Sequence, residues 1–122
     1  MKNEMQLVEL FNNTDYKSLT FASFFDNDFI SKSAIITIDS ENQLIDFSLT
    51  SENHGVLRWV NGEGIIECGS WDSMEEGSAS LPIDELLAED VLRDLPDEDL
   101  KVYLKRALKT KTFTEVLDID FD

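Results

Sequence analysis

Bases, cysteine and histidine are all scarce in this chain. Of 122 residues, 10 are Lys or Arg, one is Cys and one is His. The single cysteine, Cys68, excludes an internal disulfide and any CxxC metal knuckle, and fits a reducing compartment. His54 has no Cys or His at zinc-finger or zincin spacing, and no G-x-S-x-G elbow offers it a serine nucleophile. It reads as a turn residue and not as a catalytic base. No apolar run approaches the ~20 residues that cross a bilayer. Glu4 and Glu9 interrupt the apolar stretch near the start, so no signal peptide is expected there. These shortages together predict one soluble, cytoplasmic domain spanning 1–122 that is not an enzyme, carries no cofactor and contacts no membrane.

Acid is what the chain has in excess. Asp and Glu number 26, for a formal charge of −16, against 42% hydrophobic residues that keep the composition globular. The excess is uneven. Residues 70–99 hold 11 acids against Arg93 alone, or −10, whereas 100–122 hold 4 acids against 5 bases, or +1. Nucleic-acid phosphates and anionic lipid surfaces would repel such a molecule. The bases Lys101, Lys105, Arg106, Lys109 and Lys111 are better read as balancing a helix C-terminus and neighbouring acids, with Asp97 placed to pair with Lys101.

Periodicity places the elements. Met5, Val8 and Phe11 recur every third residue and predict a short helix over 3–12, whereas the aromatic-rich 19–25 is open between a strand and a buried turn. From residue 33 the pattern becomes period two, with strands over 34–38 and 44–50, the latter placing Ile45, Phe47 and Leu49 on one face. Asn61-Gly62 predicts a tight two-residue hairpin between strands 56–60 and 64–68, with Cys68 as a small buried hydrophobe. Residues 33–69 thus read as an antiparallel meander. A helix after Pro82 has Ile83, Leu86, Leu87, Val91 and Leu95 as its apolar stripe and ends at Pro96. Asp97 caps a second helix bearing Leu100, Tyr103, Leu104, Ala107 and Leu108, and 113–121 alternates as a last strand. The fold class expected is α+β, a mostly antiparallel sheet with helices packed on one face.

Metal chemistry finds no complete motif. Asp26-Asn27-Asp28 starts like a calcium loop but has Ser31 where glycine is needed and Thr37 where a bidentate Glu is needed. Asp118, Asp120 and Asp122 give D-x-D-x-D without a continuation, and nothing marks any two of the 26 acids as a catalytic pair. Gly62-Glu63-Gly64 lacks GxxxxGK and puts a carboxylate where an anion would sit.

The acidic block is the candidate site. Trp71, in a Gly- and Ser-rich stretch, and Met74 read as apolar anchors, with Asp72, Glu75, Glu76, Glu85 and Glu89 supplying charge to a basic partner. In size, acidity and lack of catalytic motif the chain resembles the immunity proteins of colicin and contact-dependent growth inhibition systems. That resemblance implies a bacterial protein inhibitor that occupies the basic active-site groove of a nuclease toxin. Two other classes share features with it: phage nucleic-acid mimics of the anti-CRISPR or anti-restriction kind, and type III secretion chaperones.

Overall fold

Alternation of inward and outward side chains governs the strands between Gln6 and Ser70. In the computed structural model, residues 5–24, 30–52, 55–70, 85 and 87–117 are described. They form one six-stranded antiparallel sheet in sequential order, β1 (Gln6–Asn12), β2 (Tyr16–Phe24), β3 (Ile30–Asp39), β4 (Leu44–Ser51), β5 (Gly55–Val60) and β6 (Gly64–Ser70). A π-helical segment, Ala88–Leu92, and the helix α1 (Glu98–Leu108) follow. The chain is mostly antiparallel sheet with short helical elements, an α+β composition.

The strand register lines up the core. Leu19, Ile36, Phe47 and Trp59 stand opposite one another on β2 to β5, and all four are fully buried. A second row, Phe21, Ala34, Leu49 and Leu57, runs beside it. The rings of Phe47 and Trp59 stack with centroids 5.4 Å apart. Leu87, Val91 and Leu92 from the π-helical stretch, and Leu100, Tyr103, Leu104 and Ala107 from α1, join this same cluster.

The second helix forms as its sequence predicts. The Asp97 carboxylate accepts from the Leu100 backbone N–H at 3.1 Å, and of the predicted apolar stripe Leu100, Tyr103, Leu104 and Ala107 are buried and Leu108 half-buried. Lys101, however, pairs with Glu98 at 3.3 Å and not with Asp97, whose carboxylate is occupied by the cap. The first helix departs from α geometry. Its π-helical turn spaces Leu87 and Leu92 five residues apart, so Leu92 reaches the core although it lies off the 3.6-residue stripe.

Four bulges interrupt the alternation of the sheet. The helix predicted over 3–12 is instead β1, an edge strand whose seven residues are all exposed. Val8 is the extra residue there, so Leu7 and Leu10, three apart, lie opposite Phe21 and Leu19. That spacing imitates a helix. In β4, Ile45 is bulged and Leu44 takes the buried position expected of it. In β6, Ile66 is bulged, and Cys68 is exposed on an edge strand instead of buried. Ser31 is the extra residue of β3, and its hydroxyl lies 2.7 Å from that of Ser23. The meander therefore starts at Gln6, with 19–24 in a strand and residue 25 outside the described residues. The predicted last strand is reduced, among the described residues, to a single bridge between Gln43 and Val116.

The chain after α1 is strapped to the hairpin ends. The Trp59 indole N–H donates to the Thr110 carbonyl at 2.9 Å. The Asn61 amide donates to the carbonyls of Leu44 at 2.7 Å and Phe113 at 2.6 Å, and its oxygen accepts from the Phe113 N–H. Asn61 is thereby a clamp, and the turn is wider than predicted: Val60 pairs with Gly64, leaving a three-residue loop. Only Gly62 and Gly64 in this turn have positive φ, at 93° and 81°. A Cβ on Gly62 would meet nothing within 4 Å, so any cost of adding one comes from the backbone alone. We expect Gly62→Val to lower stability by about 1 kcal/mol or more, while Gly69→Val, also in open space but without positive φ, stays near neutral. Urea unfolding of the two variants checks this.

Candidate functional site

The acidic block divides into acids that face inward and acids that do not. Lys32 occupies an inward position on β3 and is 7% exposed. Its ammonium donates to the Asp90 carboxylate at 2.8 Å, to the Asp90 carbonyl at 3.0 Å and to the Asp94 carboxylate. The Ser51 hydroxyl, beside Lys32 on β4, donates to the other Asp90 oxygen at 2.6 Å. Arg93, largely exposed, closes the group at 3.5 Å from Asp90 and 3.4 Å from Asp94. A buried cation thus anchors the helical stretch to the sheet. The strand pattern Lys32, Ala34, Ile36, Ile38 carried the signal, since one charge at an otherwise apolar inward position calls for buried counter-charges.

Of the predicted contact residues, Glu85 and Glu89 are exposed, on the helical stretch whose Leu87, Val91 and Leu92 are buried. Neither has an ion pair among the described residues. Lys32 therefore leaves these two carboxylates to solvent while it holds their neighbours Asp90 and Asp94. Trp71, Asp72, Met74, Glu75 and Glu76 lie outside the described residues, as do His54, Asp26-Asn27-Asp28 and the D-x-D-x-D tail. Among the described residues no group of three or more His, Cys, Asp or Glu is arranged to hold a metal ion. None of their helices is long and apolar enough to cross a membrane.

The outward face of the sheet holds a second feature, which sequence reasoning missed. A shallow concavity of about 620 Å³ is lined by Glu9, Phe11, Tyr16, Ser18, Thr20, Thr37 and Ile45. Phe11 and Tyr16 are 47% and 37% exposed, with ring centroids 5.7 Å apart and planes tilted by 40°. The expectation of a helix over 3–12 concealed it, because these side chains share a face only when residues 9 and 11 alternate on a strand.

At the far end of α1, the Tyr103 hydroxyl donates to the Glu115 carbonyl at 2.7 Å, its ring edge-on to Phe113. Arg106 pairs with the Glu115 carboxylate. Burial, reinforced by the nearby carboxylates of Glu115 and Asp39 and opposed by a backbone hydrogen bond at Leu44, pushes the Tyr103 hydroxyl up to about 12.

No family model, curated protein or solved structure matches this chain.

Two predictions follow from these charges. Lys32→Met removes the buried cation from Asp90 and Asp94, and should cost about 3 kcal/mol in urea unfolding; Asp90→Asn in the same background should recover part of the loss. The Tyr103 shift acts at high pH. Both states keep the phenol proton below about pH 10, and between there and about pH 12 the unfolded chain loses it first, so stability falls as pH rises. Denaturation across that range should show the fall, and Tyr103→Phe should flatten it.

Proposed function

We propose that the protein is an acidic inhibitor that binds and blocks a basic protein in the cytoplasm, and that it acts without catalysis of its own. The partner class that fits best is a bacterial nuclease toxin, which makes this chain its immunity protein. The observation that carries the reading is the sorting of acids by Lys32. Asp90 and Asp94 are held by the internal cation, while Glu85 and Glu89, on the same helical stretch, are exposed and have no ion pair among the described residues. Exposed carboxylates of this kind steer a basic partner electrostatically and offer it charge-assisted contacts.

The contact surface in this proposal runs from Trp71, Asp72, Met74, Glu75 and Glu76 to Glu85 and Glu89. Apolar side chains of both helical segments join the core cluster of the sheet, while Glu85 and Glu89 are exposed and in this reading meet the partner. Nuclease grooves carry lysine and arginine to hold phosphates, and an acidic wall occupies them without nucleic acid taking part.

The test begins with capture of partners on the immobilised protein at low salt, followed by kinetics with the captured protein. Association should slow steeply as salt rises past ~0.15 M, where the Debye length is about 8 Å. Reversing Glu85 and Glu89 to Lys together should weaken binding at least tenfold, about 1.4 kcal/mol, with the melting curve unchanged. An on-rate that ignores salt would rule out the acidic-surface model.

A further inference from the structure

We propose that the outward concavity of β1, β2 and β3 receives the guanidinium of an arginine side chain. The site is built from three chemistries on one face. Glu9 and Phe11 sit two residues apart on β1, about 7 Å along the strand, opposite Thr20 and Ser18 of β2. Thr37 of β3 lies opposite Ser18 and continues the row of hydroxyls. Tyr16 brings the second ring from across the β1–β2 turn, against Phe11.

Each part fits the same ligand. Glu9 has no ion pair among the described residues and supplies the one carboxylate of the lining. Lys17 does not neutralise it, because its register partner is the inward-facing Ile38. A guanidinium is planar, stacks on aromatic faces and donates two parallel hydrogen bonds to a carboxylate, with donors left for hydroxyl acceptors. The lysine ammonium is a point charge that cannot stack, and a phosphate would meet Glu9. A second copy of this chain is disfavoured, since each carries a charge of −16. The bearer of the arginine is a basic protein, an assignment that rests on the function proposed above, whereas the chemistry of the site does not.

The probe is N-acetyl-arginine methylamide, titrated into the ¹⁵N-labelled protein at constant ionic strength, with the lysine and norleucine analogues alongside. Saturable shifts centred on the amides of Glu9, Phe11, Ser18 and Thr20 are expected, with the lysine analogue weaker by about threefold or more and norleucine silent. Glu9→Gln and Phe11→Ala, both at exposed positions, should each weaken arginine by about threefold or more, and Glu63→Gln, exposed in the β5–β6 turn, should not. Shifts spread evenly over the acids, or binding that survives both substitutions, would overturn the site. With a captured basic partner, Glu9→Gln should lower affinity by a similar factor; unchanged affinity overturns the assignment of the arginine to that partner. If the arginine analogue fails while reversal of Glu85 and Glu89 still weakens the partner, this site falls and the inhibitor reading stands. If arginine binds here but partner association ignores salt, the inhibitor reading falls and the site stands.

Discussion

Leu19, Ile36, Phe47 and Trp59 stand in a row across four strands, and covering that row from water is the constraint from which the other features follow. Burying side chains of this size contributes roughly 1.5–3 kcal/mol each. The apolar residues that meet them come from Ala88–Leu92 and its flanks, from α1, and from Phe113 and Leu117. No residue of β1 or β6 belongs to the cluster. Six strands about 4.8 Å apart span more than two helical segments about 10 Å wide can shield. The described cover therefore serves the four central strands. Leu7, Leu10, Ile65 and Cys68, which register with buried rows, stay exposed at the edges.

Holding that cover in place requires polar attachments at both ends. At one end Lys32 binds Asp90 and Asp94, and the Met5 N–H donates to the Asp94 carbonyl at 2.8 Å, tying the entry of β1 to the same turn. At the other end Asn61 and Trp59 hold the chain beyond α1, and the Leu117 N–H donates to the Asn42 carbonyl at 2.7 Å. A buried ion pair adds little net stability compared with a well-packed apolar substitute, but it is intolerant of losing one partner. Its contribution here is positional: it orients the stretch that carries Glu85 and Glu89.

The helical stretch and the outward concavity share this origin. The helical stretch presents Glu85 and Glu89 because its apolar side and two of its aspartates are committed inward. The sheet presents Glu9, Phe11 and Tyr16 because its outward face lies away from the buried rows and keeps alternate polar residues. Each presents carboxylate to solvent, Glu85 and Glu89 on the one and Glu9 on the other, which is the ground for assigning both to a basic partner. Distinct contacts of this kind divide the work between steering at the rim and anchoring at aromatic side chains.

Much was legible from residue order alone. The acid excess, its concentration in 70–99, the strands of the central meander, the Asp97 cap and the apolar stripe of α1 are local properties, set by propensity and by neighbours within a turn or two. Gly62 at positive φ was legible for the same reason. What residue order could not decide was which strand each residue pairs with. A bulge shifts the side chains that follow it to the other face, so Ile45 does not share the inward face with Phe47 and Leu49, and Val8 breaks the alternation that would have marked β1 as a strand. The role of Lys32 was equally hidden, because its partners lie 58 and 62 residues away. Only tertiary pairing determined that Asp90 and Asp94 turn inward while Glu85 and Glu89 do not: a buried cation draws in the carboxylates that reach it, and sequence separation says nothing about reach.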